Sequence, residues 1–390
     1  MKCSDRRPVS LRFINGLQII PGQSKLNEMK LGFGFYKHML NEEHFRFARQ
    51  CGCSHAVVHL VDYFKKSPAN PPVDQPVGDL GGWGYAGDPE KIWTVEYLDG
   101  IKYDLNAHGL QWEVIENFDP AHWHDILLDG PKRAEQIEKI KTIIRNAGEV
   151  GIKIIGYNFS IAGVAGRVTG PIARGGAEAV CMDGPVDDPI PNGMVWNMIY
   201  DASAIPGVMA PISHEQLWDR LERFLRDVLP TAEKAGVTLA LHPDDPPLPT
   251  VRAQPRLVYQ PRFYQKLADL HPSPNNGMEF CCGTIAEMTE GDVYETIDLQ
   301  SRNGRVAYVH LRNVSGKAPH YRETFIDEGD IDVLRILRIL NHNKFDGVII
   351  PDHAPQMSCA APWHSGMAFA FGYLKAAIAV AEEENVSSKL

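Results

Sequence analysis

The chain has 390 residues and a formal net charge of −10, from 39 Lys and Arg against 49 Asp and Glu. Such a balance repels phosphate backbones and anionic lipid, which argues against nucleic acid or a membrane surface as partner; a small anionic metabolite remains admissible, because a local ion and a few arginines outweigh a distant field. No apolar run approaches the roughly 18 residues of a membrane span or forms the core of a signal peptide, and seven irregularly spaced cysteines read as reduced thiols of a cytoplasmic protein.

Residues 1–28 form a polar arm, read as hairpin or coil around Pro21-Gly22, ahead of a single domain over 29–390. Leu31–Phe35 reads as a strand, and Asn41–Gln50 as an amphipathic helix opened by an Asn cap. His55–Leu60 is the second strand. Residues 61–91, rich in Pro, Gly and Asp, show no periodicity and form a long loop of the kind that is usually functional or disordered. A helix over 92–108 leads to strand Leu110–Asn117, a helix over Pro131–Gly148 with a stripe of Ile137, Ile140, Ile143 and Ile144, and strand Ile152–Phe159.

A second insertion, 160–212, carries no sustained pattern. Ser213-His-Glu-Gln216 is a capping box for a helix to Gly236, with Leu217, Leu221, Phe224, Leu225 and Leu229 at helical spacing. Four further strands follow: Leu239 into His242, Gly277–Gly283, Val306–Arg312 and Gly347–His353, with helices near 261–270, 291–302, 331–342 and 365–384. Eight strands, each followed by a helix and most of them continuously apolar, predict an α/β fold of the closed (β/α)8, or TIM-barrel, type. Both long insertions, after strands 2 and 4, then fall on the face where such barrels keep their active sites. An open doubly wound sheet is the alternative, but the first strand is not followed by a Gly-x-Gly-x-x-Gly turn.

The last four strands share a feature: each delivers a potential metal ligand at its carboxyl end. His242, Cys281 or Cys282, His310 and Asp352 become neighbours around one rim in a barrel, although they span 110 positions of chain. A thiolate, two imidazoles and a carboxylate suit Mn2+, Fe2+, Co2+ or Zn2+ better than Mg2+ or Ca2+. Singly, each residue also has a plain structural reading, as a hydrogen-bonded strand-end His, a core Cys or a capping Asp; the repetition carries the signal. His353 is the candidate general acid or base, and Arg167, Arg256 and Arg312 are candidates for gripping a carboxylate.

His-Pro-Asp-Asp-Pro-Pro (242–247), Pro255-Arg256, Cys281-x-Gly-Thr284, His310-Leu-Arg312, Gly-Asp-Ile-Asp (329–332) and Pro-Asp-His-x-x-Gln-Met (351–357) resemble the mannonate dehydratase family, as do Glu116, Tyr157-Asn158-Phe159 and Arg167 upstream. The resemblance implies a xylose-isomerase-like barrel holding a divalent metal, Mn2+ or Fe2+, and a hydro-lyase that converts D-mannonate to 2-keto-3-deoxy-D-gluconate. It implies His242, Cys281 (rather than Cys282), His310 and Asp352 as metal ligands, His353 as the proton-transfer residue, and Glu116, Asn158, Arg167, Arg256 and Arg312 around a sugar-acid substrate.

The chain also departs from the family's pattern. Ile350 and Ala354-Pro355 flank Pro-Asp-His where the family carries Arg and Gly-His; Ile326-Asp327 replaces a His; and the loop 61–91 is longer than the family's. Pro362-Trp-His-Ser365 stands where the family has a catalytic tyrosine, which puts His364 forward as a catalytic residue in its place. These changes keep an isomerase, epimerase or lyase acting on a related sugar or sugar acid as the alternative, because a metal-held enediolate can be reprotonated instead of losing hydroxide. A homo-oligomer is expected, since exposed barrel helices commonly pair.

Overall fold

The computed structural model describes residues 28–64 and 81–387. The expected N-terminal arm, but for its last residue, and residues 65–80 of the first insertion lie outside the described residues. Eight parallel strands close into a barrel: β1 (Lys30–Phe35), β2 (His55–His59), β3 (Gln111–Glu116), β4 (Ile154–Tyr157), β5 (Thr238–Leu241), β6 (Asn276–Cys281), β7 (Val306–His310) and β8 (Val348–Ile350). Each strand pairs with its neighbours in chain order, and β8 closes on β1.

The strands alternate sides with a period of two. One face packs outward on the helices: Tyr157 of β4, for instance, meets Trp123 and Phe224 of two surrounding helices. The other face fills the barrel with Val57, Val114, Ile154, Ala240, Tyr308, Val348 and Ile350. A step of two residues from Val57, Val114, Ala240, Tyr308 and Ile350 reaches His59, Glu116, His242, His310 and Asp352. The floor of the cleft is thus the next layer of the barrel's own filling, made polar.

The helices expected from periodicity are present as α1 (Glu42–Gln50), α2 (Val95–Ala107), α4 (Arg133–Val150), α5 (His214–Ala235), α6 (Arg262–Leu270), α8 (Val293–Arg302), α9 (Val333–His342) and α10 (Pro362–Ser387). The Asn41 cap accepts from the His44 N–H, and Ser213 and Gln216 form the reciprocal capping box. Two helices were not expected. In α3 (Pro120–Leu128), eight of nine residues are buried, leaving no polar face to mark a periodicity. The short α7 (Cys282–Glu287) begins directly after β6, so the segment read as strand to Gly283 turns helical at Cys282.

Both insertions follow the strands anticipated, but they are not without structure. Within 160–212, Arg167–Ala173 and Ala177–Asp183 form a hairpin. A second, unexpected hairpin, Asn313–Lys317 with His320–Thr324, follows β7, and His320–Arg322 pairs antiparallel with Cys181–Asp183. The result is a four-stranded sheet over the barrel's C-terminal rim. Gly84–Tyr85, Met194–Val195 and Met198–Ile199 form a smaller three-stranded sheet that joins the two insertions. Among the described residues no helix is long and apolar enough to cross a membrane.

Candidate metal centre and cleft

The ends of β5, β6 and β7 bring His242, Cys281 and His310 together, with one ligand-type atom from each lying within 4.8 Å of the others. Cys281 and His310 are direct partners in the sheet register, which sets them at one height. His242 Nδ1 lies 2.5 Å from the Pro243 carbonyl, where it donates, leaving Nε2 as the lone-pair nitrogen. Burial pushes the Cys281 thiol up, but the Arg312 guanidinium and the imidazoles of His242 and His310 hold it well below the usual thiol range, which favours the thiolate that a metal takes as ligand. Cys282, deeply buried beside that thiolate, is pushed well above the usual range. The choice of Cys281 over Cys282 therefore has a physical cause.

Asp352, the fourth expected ligand, stands beside this group rather than within its 4.8 Å circle. Its Oδ1 is 3.5 Å from His310 Nδ1 and 3.4 Å from His353 Nε2, and its Oδ2 is 3.3 Å from Arg312 Nε. Its backbone is left-handed at φ 61°, as is that of Asn117 at φ 68°. Non-glycine residues hold such conformations at a cost, and they concentrate at functional sites. Both residues line the cleft.

A second group of ligand-type atoms lies against the first, formed by Glu116, Glu279 and His310. Glu279 Oε1 is 3.1 Å from His310 Nε2 and 3.9 Å from His242 Nε2, while Glu116 Oε2 is 3.3 Å from His310 Nε2. Burial and the neighbouring Glu116 raise the Glu279 carboxyl to about 8. Burial pulls the His310 imidazole down, but Glu116, Asp352 and Glu279 together hold it well above its ordinary value. Without an ion, these carboxylates are balanced by protons. Among the described residues, both Glu279 oxygens, Glu116 Oε2 and both His310 ring nitrogens are buried without a hydrogen-bond partner. Two carboxylates and an imidazole, which can offer one nitrogen lone pair when neutral, are thus packed together without hydrogen-bond partners, and such donors fit a divalent transition metal.

His353 Nδ1 is 3.0 Å from Glu323 Oε1, on the hairpin after β7. A carboxylate only accepts, so the Nδ1 proton is held there and Nε2 is left to exchange a proton with a ligand. The rim sheet also supplies Arg167, which ion-pairs with Asp245, and Tyr321, whose hydroxyl donates to Asp245 Oδ1 at 3.2 Å. Burial works against ionisation of Asp245, but Arg167 and Arg312 hold its carboxyl at about 2.

The cleft is lined by Glu116, Asn158, Arg167, His242, His310, Asp352 and His353, all expected from sequence. Two expected substrate residues are turned elsewhere. Arg256 is fully buried, donating to Ser160 Oγ, the Gly163 carbonyl and the Asp245 carbonyl, and so clamps the loop after β5. Arg312 is held by Glu287 at 2.6 Å and Asp245 at 2.9 Å, flanking the thiolate from outside the cleft. His364 is also placed elsewhere: at the start of α10 its ring packs on Phe47 of α1 at 4.9 Å and on His44 at 5.6 Å, outside the cleft lining.

The sequence reading missed Tyr36, His59, Tyr63, Trp83 and Trp196, which line the same cleft. Tyr63, Trp83 and Trp196 meet edge to face at 5.3–5.7 Å, and Tyr36 lies 4.8 Å from His59. His59 and Tyr36 could have been found by applying the strand-end rule to the first two strands. Glu279 carried a signal as well, an acid inside an otherwise apolar strand. Glu323, Trp83 and Trp196 carried none.

A closed parallel barrel whose C-terminal rim gathers a buried thiol, imidazoles and carboxylates has the architecture of a (β/α)8 barrel enzyme, with donors of the kind that suit a divalent transition metal. The family model for D-mannonate dehydratase (UxuA) matches residues 69–183 and 186–382. The chain therefore belongs to the mannonate dehydratase family of hydro-lyases. It is 32% identical to a mannonate dehydratase of Streptococcus equi subsp. zooepidemicus over 276 residues, which cover 67% of this chain and 75% of that one. A mannonate dehydratase 2 of Halalkalibacterium halodurans is 28% identical over 306 residues, 75% of this chain and 86% of that one. The crystal structure of mannonate dehydratase from Streptococcus suis superposes with a TM-score of 0.71 over 92% of this chain and 95% of that one at 24% identity, a likeness of fold.

Proposed function

We propose that this chain is a metal-dependent sugar-acid dehydratase that takes D-mannonate, or a closely related aldonate, to 2-keto-3-deoxy-D-gluconate, with Mn2+ or Fe2+ at His242, Cys281, His310 and the adjoining Asp352. The observation that carries the reading is the convergence of His242, Cys281 and His310 within 4.8 Å, with His242 and His310 lining the same cleft as His353 and Cys281 buried behind it.

A divalent ion bound there supplies Lewis-acid stabilisation of the charge that develops when the C2 hydrogen of the acid is removed. The chain's own residues supply the rest. Arg167 Nε–H is buried and has no partner among the described residues, which suits it to a substrate carboxylate or hydroxyl. Dehydration takes one proton from C2 and gives one to the C3 hydroxyl as the C–O bond breaks and water departs; the resulting enol becomes the 2-keto acid by losing its O2 proton and gaining one at C3. His353, with Nδ1 fixed on Glu323 and Nε2 exchangeable, handles one of these transfers. The rings of Tyr36, Tyr63, Trp83 and Trp196 keep water from the reacting carbons and give the apolar edge of a polyol a surface to lie on.

The test is a screen of aldonic and uronic acids with added Mn2+, scored for 2-keto-3-deoxy products. Formation of such a product from D-mannonate, above its C2 and C3 epimers, supports the assignment. Turnover only to an isomer or epimer with the C3 hydroxyl retained would move the chain to the alternative chemistry.

A further inference from the structure

We infer that Glu279 is a direct ligand of the metal centre, entering from inside the barrel. The inference rests on the metal-dependent reading above and adds to its donor set a residue that neither the sequence motifs nor the family likeness singled out.

The first argument is spacing. With bonds of about 2.0–2.3 Å, neighbouring donor atoms around one ion stand roughly 2.8–3.8 Å apart and opposite ones up to about 4.6 Å. Glu279 Oε1 lies 3.1 Å from His310 Nε2 and 3.9 Å from His242 Nε2. It therefore borders both imidazoles at once, and the two groups of ligand-type atoms are adjoining halves of one donor set. The second argument is direction. These atoms are close, yet neither Glu279 oxygen nor either His310 nitrogen has a hydrogen-bond partner among the described residues. Carboxylate oxygens and imidazole nitrogens that crowd together without hydrogen-bonding one another present donor atoms to one shared space.

The third argument is what the fold gives up to hold this side chain. Glu279 is completely buried, two residues before Cys281 and on the same face of β6, directly above the apolar filling of the barrel. Burying an uncompensated carboxylate there costs several kcal/mol, and an ion is the compensation the surroundings suggest. Room is made by Gly156 on β4, where a Cβ would come within 2.7 Å of Glu279 Oε2 and 2.1 Å of Tyr308 Oη. Any side chain at 156 would displace the carboxylate. With Glu116 alongside, a second carboxylate moves the donor set from sulfur and nitrogen toward oxygen, and so toward Mn2+ or Fe2+ and away from Zn2+.

The test is Co2+ substitution of the full chain, wild type against Glu279→Gln, read by the visible absorption of the bound ion, with Mn2+ affinity measured by chelator competition. The variant should shift the Co2+ bands, because the coordination sphere has lost an oxygen, and should weaken Mn2+ more than about 100-fold, beyond the 10–100-fold typical of an outer partner of a ligand. Melting of the ion-free proteins controls for folding. Glu279→Asp, which keeps the charge but withdraws the oxygen by one methylene, should shift the bands too. Unchanged Co2+ spectra in both variants would overturn the inference while leaving the rest of the metal centre intact. Failure of the wild type itself to bind Co2+ or Mn2+ would sink the metal-dependent reading on which it stands.

Discussion

His353 and Asp245 show how separate jobs are given to charged side chains a few ångströms apart. Glu323 occupies only one nitrogen of His353, which leaves Nε2, beside Asp352, for the proton transfer proposed above. Replacing His353 with Ala should lower kcat by about 10²–10⁴-fold while leaving metal content and melting temperature near wild type. Wild-type turnover in that variant would remove it from the chemistry. Asp245 has a structural job, joining Arg167 and Arg312 beneath the rim sheet. Its carboxyl is held at about 2, below the ordinary 3.8. A depressed carboxyl contributes stability that is fully present above its unfolded-state value and is lost as pH falls through its folded-state value. Asp245→Asn should therefore destabilise the protein by about 3 kcal/mol at neutral pH, since it leaves two buried guanidinium groups short of a partner. Denaturant melts at several pH values should show that gap narrowing between pH 4 and pH 2. A gap that stays constant over that range would mean Asp245 is not the charge the arginines answer to.

At the scale of elements, the barrel's inner face is a register of steps, and Gly156 is where the register is tightest. Gly156→Ala drives a methyl group to within 2.1 Å of Tyr308 Oη, an overpacking expected to cost about 1–3 kcal/mol. Tyr308→Phe removes that oxygen, so the double variant should recover part of the loss. A double-mutant cycle with no coupling would contradict the packing described. The rim sheet teaches a different lesson. Its two hairpins, 167–183 and 313–324, pair with each other across more than a hundred residues of chain. Each hairpin pairs within itself, but one strand of each also pairs with the other hairpin, a contact that no local pattern announces. Arg167 was legible through a motif, but Glu323 and Tyr321 were not, since what brings them to the cleft is this long-range pairing. For the same reason Glu323→Gln should lower turnover while sparing metal affinity, a split measurable by kinetics beside chelator competition.

At the scale of the whole molecule, the barrel was legible because most strands are apolar runs ended by a polar residue or a proline, and because chain order equals strand order. The convergence of His242, Cys281 and His310 could be read for the same reason: β5, β6 and β7 present them at their carboxyl ends by one rule. The rest of the cleft was less legible. Trp83 and Trp196 reach the cleft through small sheet contacts between the two insertions. His364 was expected by analogy of position, yet α10 begins where its side chain lies on α1. The central claim, that this barrel removes water from a sugar acid with the help of a bound metal, is tested most directly by NMR of D-mannonate incubated with chelator-stripped protein before and after Mn2+ is added back. The account predicts no turnover in the stripped protein, and on reconstitution loss of the C3 hydroxyl and a new C3 methylene beside a 2-keto carbon. Turnover undiminished by stripping, or a product that keeps its C3 hydroxyl, would contradict it.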